Sequence, residues 1–314
     1  MEISKLRALG QGTLGTVCLA LVNNQVVAIK YSELWKWPVL SKEYDMLKKL
    51  DGCNEVIQCF GTFNDFEGGT EYCNLLLEYA PGGSLDSHIK NHQDGRLPEN
   101  MARQYTLMLL RGLSAIHRKG IVHCDLKPAN ILVFPNEDGP CQLKIADFGN
   151  ARMVEYRNSG KLKIVGTPLY MSPESVAVGE ITPALDIWSL GCIIIEMVTG
   201  KRALQSRDLK DIVRYLVFSN EVPSIPENMS ASGRHFLQKC FVRNPKERWT
   251  ADMLLNHPYM FEIAYPLLLH KVVQKSFNCH LPTLPEYACS GCCLDYSLWS
   301  PRIGHSRFLD SFKD

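Results

Sequence analysis

The sequence predicts an α+β fold, with a small β-rich N-terminal part and a larger helical C-terminal part. Three observations predict it. Up to residue 80 the apolar runs are short and β-rich, as at Val17 to Leu21, Val26 to Ile29, Cys59 to Phe63 and Asn74 to Tyr79, and they read as strands. Pro81-Gly82-Gly83 then breaks the chain. Beyond the break, Met101, Tyr105, Met108, Leu109, Leu113 and Ile116 recur at helical spacing over residues 99–117, and an almost wholly apolar stretch runs from Ile187 to Val198.

Composition narrows the function classes. A chain of 314 residues can bury a large core, and 46% apolar with 21% charged residues is ordinary for a globular protein. A net charge of +1 gives no electrostatic case for nucleic acid or a membrane surface. No apolar run approaches the roughly 18–20 residues that span a bilayer. Met1-Glu2-Ile3-Ser4-Lys5 lacks a signal-peptide pattern, and the twelve cysteines are mostly scattered singly, as at Cys18, Cys59 and Cys192. Reduced thiols and a cytoplasmic location are expected.

Along the chain, Leu9 to Val17 reads L-G-Q-G-T-L-G-T-V. Gly10, Gly12 and Gly15 form G-x-G-x-x-G, which dinucleotide-binding folds also use and which can be a plain structural turn. A Rossmann loop opens a helix, whereas here two strands follow, around the hairpin signal Asn23-Asn24-Gln25. Val27-Ala28-Ile29-Lys30 ends a strand on a lysine. Leu40, Tyr44, Leu47 and Leu50 make residues 36–50 helix-like, with Glu43 among them. Ser84 is placed to cap the first helix after the break.

The chemistry concentrates in His123 to Val133, H-C-D-L-K-P-A-N-I-L-V, a polar loop between the apolar flanks Ile121–Val122 and Ile131 to Phe134. Asp125 can accept a hydroxyl proton, Lys127 can neutralise phosphate charge, and Asn130 can offer a neutral oxygen to a metal. A second carboxylate follows in Asp147-Phe148-Gly149, after the apolar strand Leu143 to Ala146. A base, a metal pair and charge neutralisation are what phosphoryl transfer requires. Asp186, inside the apolar stretch, needs partners, because an unpaired buried carboxylate is costly.

His-x-Asp-x-Lys-x-x-Asn followed by Asp-Phe-Gly resembles the catalytic core of eukaryotic protein kinases, and the family's other motifs occur in the expected order. The resemblance covers residues 3–262 and implies the bilobal protein kinase fold, with an N-lobe over about 3–80 and a C-lobe over about 81–262. It implies ATP and Mg2+ as cofactors. Leu9, Gly10, Gln11, Gly12, Thr13, Leu14, Gly15, Thr16 and Val17 then form a flap over the phosphates. Val17 and Ala28 cover one face of adenine and Leu132 the other. Leu77, Glu78, Tyr79 and Ala80 form the hinge that binds adenine, with Leu77 as gatekeeper, and Ser84 lies near the ribose. Lys30 holds the α- and β-phosphates and pairs with Glu43. Asp125 and Lys127 are catalytic, and Asn130 and Asp147 hold the metal.

The run Gly166-Thr167-Pro168-Leu169-Tyr170-Met171-Ser172-Pro173-Glu174 resembles the G-T-x-x-Y-M-A-P-E of Ser/Thr kinases, with Ser172 replacing Ala. Lys127 and Thr167 fit the Ser/Thr class. Ser159 and Thr167 are the candidate phosphorylated or functional hydroxyls of the activation segment, and Thr167 has the alternative role of contacting Asp125 and Lys127. The family implies that Asp186 bonds the catalytic-loop backbone and that Arg248 pairs with Glu174.

Cys124 stands where many kinases carry the Arg that pairs with an activation-loop phosphate. Cysteine cannot make that pair. Activity is therefore expected to depend less on loop phosphorylation through this contact, with Arg152, Arg157, Lys161 or Lys163 as substitutes. Cys124, the Ser172 variant and Leu75 to Leu85 together resemble plant MEKK-like MAP kinase kinase kinases. That family implies a MAP kinase kinase as protein substrate, stress or hormone signalling, and the nucleus as a second location. A kinase domain starting at residue 3 leaves the C-terminal tail as the source of regulation in cis. The alternative is a pseudokinase, or a scaffold acting through that tail. Residues 263–314 match no kinase motif and carry Cys279, His280, Cys289, Cys292 and Cys293. They read as a segment that meets a partner or the kinase lobe, with zinc binding or lipidation as the other readings.

Overall fold

The computed structural model describes residues 2–12, 15–136, 139–154, 165–205 and 208–261. Five antiparallel strands open the chain: β1 (Ile3–Gly12), β2 (Gly15–Val22), β3 (Gln25–Glu33), then, after helix α1 (Trp37–Lys49), β4 (Cys59–Glu67) and β5 (Thr70–Leu77). They form one sheet in the order β1-β2-β3-β5-β4. Asn23 and Asn24 make the first hairpin turn with φ of 49° and 66°, the left-handed pair that a two-residue turn requires.

The second hairpin differs from expectation. Residues 64–73 read as a polar loop, but β4 and β5 run through them and pair Asn64 with Cys73, Asp65 with Tyr72 and Phe66 with Glu71. The turn shrinks to Gly68 and Gly69, both at positive φ. The physical reason is that the Gly-Gly pair closes a tight turn, so the polar residues before it become a half-exposed strand.

Helix α1 buries Leu40, Glu43 and Leu47 on one side. Past Pro81-Gly82-Gly83 come α2 (Leu85–Asn91) and α3 (Glu99–Arg118), then the short strands β6 (Ile121–Val122), β7 (Ile131–Asn136), β8 (Gly139–Ile145) and β9 (Arg152–Met153). The chain continues through α4 (Pro173–Val178), α5 (Pro183–Thr199), α6 (Leu209–Val213), α7 (Ala231–Cys240) and α8 (Ala251–Leu255). Ser84 does cap α2, accepting the Ser87 N–H at 3.3 Å. α5 is buried from Leu185 to Val198 and packs against α3 and α7. It is the post on which the catalytic loop is mounted. Among the described residues no helix is long and apolar enough to cross a membrane.

Candidate active site

The site begins with a buried carboxylate. Asp186, in the first turn of α5, accepts the His123 N–H at 2.9 Å, the Cys124 N–H at 3.0 Å and His117 Nε2 at 2.9 Å. Three donors compensate the burial of one charge. They also hold Cys124 at φ 65°, a conformation that costs a non-glycine residue about 1 kcal/mol or more. That kink sends the chain from β6 into the catalytic loop. His123 steadies the other side. Its Nδ1 accepts the Asp125 N–H at 3.3 Å, so its Nε2 carries the proton donated to the Ala146 carbonyl at 3.0 Å. The His123 ring stands edge-on to Phe148, with centroids 4.9 Å apart.

Asp125 is thereby placed and nearly buried. Its Oδ1 accepts from Thr167 Oγ1 at 2.7 Å, and its Oδ2 accepts from Lys127 Nζ at 3.0 Å. Lys127 also donates to Thr167 Oγ1 at 2.8 Å. Thr167 thus makes the contact with Asp125 and Lys127 that was expected as one of its two roles. Asn130 Nδ2 donates to the Asp125 carbonyl at 2.9 Å. Asn150 Nδ2 reaches Asp125 Oδ2 at 3.4 Å, a neighbour that the sequence reading missed. Its only signal was its place directly after Asp-Phe-Gly.

Across from the loop, Lys30 Nζ donates to Glu43 Oε2 at 2.6 Å and to Asp147 Oδ1 at 2.7 Å. Burial lowers the Lys30 pKa, but the two carboxylates outweigh it and hold the group above its ordinary value. Burial raises the Asp147 carboxyl, and Lys30 outweighs that in turn, keeping it below the usual range. Asp147 has φ 63° and a side chain 40% exposed. Residues 30, 43, 125, 127, 130 and 147, expected to act together, are thus assembled.

The glycine-rich stretch is two strand arms, with Gly10 opposite Val17, Gln11 opposite Thr16 and Gly12 opposite Gly15. Gly15 cannot carry a side chain, because a Cβ there would stand 2.5 Å from the Tyr31 carbonyl. Val17 and Leu132 pack half-buried at the core's edge, and Ala28 sits opposite Leu77. In the hinge, the Glu78 N–H is committed to the Gln58 carbonyl at 3.0 Å. The Glu78 carboxylate turns away to Lys144, both oxygens at 2.7 Å. Lys144 was not singled out from the sequence, where it reads as one polar residue in an apolar strand.

A scan against family models matches residues 3–260 to the protein kinase domain. The chain belongs to the protein kinase family. It is 42% identical over 272 residues to mitogen-activated protein kinase kinase kinase 20 of Arabidopsis thaliana, covering 83% of this chain and 78% of that one. Mitogen-activated protein kinase kinase kinase 17 of the same plant is 39% identical, at 83% and 70% coverage. The serine/threonine-protein kinase SSK22 of Saccharomyces cerevisiae is 33% identical, over 84% of this chain and 21% of its own length. This kinase is of the Ser/Thr type and uses ATP.

Two features support the kinase site from below. Arg248 grips Glu174 with two hydrogen bonds, at 2.7 and 3.0 Å, in a buried pair. Cys124 sits in a small apolar cluster with Val122 and Leu185, against which Val165 and Ile181 pack. Its thiol is pushed well above the ordinary value by burial and by Asp186. Gly166 lies so close that a side chain there would strike the Cys124 carbonyl. Of the expected substitutes for the missing Arg, Arg152 donates to the Asn150 and Ala151 carbonyls at 2.9 and 2.8 Å. Ser172, where the family carries Ala, is fully buried and its hydroxyl has no partner among the described residues. Thr13, Leu14, Arg157, Ser159, Lys161, Lys163 and the whole 263–314 tail, with its cysteines, lie outside the described residues.

Proposed function

We propose that this kinase is a MAP kinase kinase kinase, transferring the γ-phosphoryl group of ATP with Mg2+ to Ser/Thr hydroxyls of MAP kinase kinases. One observation carries the catalytic part. Lys30 bonds both Glu43 and Asp147 while Asp125 sits between Lys127 and Thr167. The substrate class rests on the plant relatives. With Lys30, Asp125, Asn130 and Asp147 all assembled, nothing favours a pseudokinase.

The residues fit both cofactors. Asp147 and Asn130 are hard oxygen donors of the kind Mg2+ prefers. Asn130 has its Nδ2 tied to the Asp125 carbonyl, which leaves its oxygen to serve as ligand. Beyond its own chain neighbours, no atom lies within 4 Å of where a Gly10 Cβ would stand, so the flap backbone has open space on that side in which phosphates could lie. With the Glu78 N–H spent on Gln58 and the Ala80 carbonyl on Gly83, the Glu78 carbonyl and the Ala80 N–H are the hinge groups that would bond the adenine edge. ATP supplies the phosphoryl group, and Mg2+ offsets its charge. Asp125 orients the substrate hydroxyl and takes its proton on a carboxylate oxygen, a role worth about 10²–10⁴-fold. Lys127 balances charge at the transferred group, and Lys30, fixed by Glu43, orients the phosphates. A cytoplasmic location, with the nucleus as a second site, completes the proposal, and imaging of a fluorescent fusion tests it. Confinement to a secretory compartment would overturn it.

The deciding experiment incubates the full chain with Mg2+, labelled ATP and a kinase-dead MAP kinase kinase, with myelin basic protein alongside. Label on the MAP kinase kinase that vanishes with Asp125→Asn is expected. Label on myelin basic protein alone would remove the substrate class and keep the kinase.

A further inference from the structure

Lys144 is a buried lysine among the buried apolar residues Leu143, Ile145 and Ala146, and no step of the reaction described above uses it. A lysine is almost never buried unless it is paired. Its ammonium donates to both carboxylate oxygens of Glu78 at 2.7 Å and stands over the Phe134 ring, 4.9 Å from the centroid. Replacing such a pair by apolar groups of equal size is often neutral for stability, because desolvation cancels the attraction. What the pair supplies is a fixed position for Glu78.

Glu78, the first residue after β5, is held from several sides. Its N–H donates to the Gln58 carbonyl at 3.0 Å, and its Oε2 accepts the Gln58 N–H at 3.3 Å. Gln58 is fixed in turn, its side-chain amide donating to the Cys53 and Val56 carbonyls at 3.0 Å each. The same segment is tied to β8. The Ile145 N–H donates to the Glu55 carbonyl at 2.8 Å, and the Ile57 N–H to the Ile145 carbonyl at 3.0 Å. Residues 53–58, Glu78 and β8 thus form one frame, which Lys144 closes. Among the described residues no hydrogen bond is made to the Glu78 carbonyl.

We propose that Lys144 is a positioning residue that sets the preference of this kinase for ATP over GTP, acting through Glu78. The inference rests on the hinge reading above, in which the Glu78 carbonyl and the Ala80 N–H meet the purine edge. Adenine offers that edge an amino donor beside a ring acceptor. Guanine offers the reverse, a carbonyl acceptor beside a ring N–H. A Glu78 carbonyl that is held still bonds the adenine amino group and faces the guanine oxygen as acceptor to acceptor. A site built to bond one group rejects the analogue lacking it, because its own polar group is left unpaired. That rejection needs a carbonyl that cannot turn away, and the Lys144 pair supplies the restraint. A lysine that only supported the fold would affect both nucleotides alike.

The test compares the full chain as wild type, Lys144→Met, Lys144→Arg and Glu78→Gln, with myelin basic protein as acceptor and Mg2+ present. GTP is used both as donor and as competitor of ATP, so its affinity is read even where its turnover is slow. Lys144→Met keeps the packing on Phe134 and removes the ammonium. It should raise KM for ATP about ten-fold, the scale of one hydrogen bond, with kcat little changed and GTP bound no more weakly than before. The preference for ATP should therefore shrink about ten-fold. Lys144→Arg should restore it, because a guanidinium grips both carboxylate oxygens. Glu78→Gln keeps the shape of its side chain and should shrink the preference as Lys144→Met does, which decides the matter if the methionine variant fails to fold. Losses in equal proportion on ATP and GTP overturn the inference, and so does a wild-type preference retained in Lys144→Met or Glu78→Gln. A wild type that takes GTP as readily as ATP removes the hinge reading, and the inference falls with it.

Discussion

Two aspartates flank the catalytic loop and meet opposite treatment. Asp186 is fully buried, and its carboxylate accepts from three donors of its own helical lobe. Asp147 is partly open and strained in backbone, and its carboxylate takes one ammonium, Lys30, from the sheet lobe. One group is sealed and the other is left with coordination to spare. The difference separates support from chemistry more clearly than residue type does. A carboxylate buried among several donors can hold a loop, and one with most of its lone pairs free and a partly open face can hold a metal. The comparison also explains the stacking of the site. The rigid post, α5, fixes the catalytic loop by backbone bonds, and only then do Asp125, Asn130 and Asp147 come into reach of one another.

Substitution at both positions breaks the comparison apart. Asp147→Asn keeps the shape and removes the charge. It should lower kcat by about 10²-fold or more, as removal of an electrostatic catalytic contact does, while the unfolding midpoint stays near wild type. Initial-rate assays beside thermal unfolding read both. Asp186→Ala should do the reverse in kind. It strips acceptors from the His123 and Cys124 N–H groups inside the lobe, and a loss of roughly 3–5 kcal/mol in stability is expected. Denaturant unfolding measures it. Should Asp147→Asn unfold the protein as readily as Asp186→Ala, the separation of roles would be wrong.

The Arg248–Glu174 pair belongs to the sealed class. Arg248 is almost fully buried and also donates to the Val242 and Ala184 carbonyls at 2.8 Å each. Arg248→Ala leaves a buried carboxylate without its partner, so a cost of about 3 kcal/mol is expected in the same unfolding assay. Arg248→Lys should recover little, because an ammonium cannot reproduce the two-pronged grip.

Much of this was legible before any coordinates. Asp125, Lys127 and Asn130 occur at short offsets because one loop must present them together, and Asp147 follows directly after the next apolar strand but one; both arrangements survive in a sequence. The helical spacing of α3 and the apolar run of α5 were equally plain, since a buried helix has few ways to be written. The paired strand residues 64–73 were missed for a physical reason. Their polar side chains face solvent on a strand, and the turn that pairs them is encoded only in Gly68 and Gly69. Lys144 and Asn150 were missed because each acts through a partner far away in sequence, Glu78 in one case and Asp125 in the other. A contact across 66 residues leaves no local mark.

The loop after Asp147 sharpens the comparison in another way. Cys124 sits among apolar side chains, where an Arg would read a phosphate in other kinases. Treatment with a protein phosphatase should leave most of the activity toward myelin basic protein in place. Abolition by phosphatase, with recovery on rephosphorylation, would show that another cation has taken over the reading.

The smallest effect concerns Cys59, at the start of β4 beside the hinge. Burial pushes its thiol from 9.0 up to about 11. A group whose pKa is raised on folding contributes stability that is complete below its unfolded value and is lost as pH rises through the folded one. The unfolded chain releases this proton first, so stability should fall between about pH 9 and 11. Burial raises other thiols as well, among them Cys18 and Cys53, so the informative quantity is the difference between wild type and Cys59→Ala. That difference should be constant up to about pH 8 and shrink by about 1 kcal/mol towards pH 10. Chemical unfolding at stepped pH measures it. A difference that stays flat would mean that water reaches this edge of the hinge and that Cys59 titrates as an open thiol.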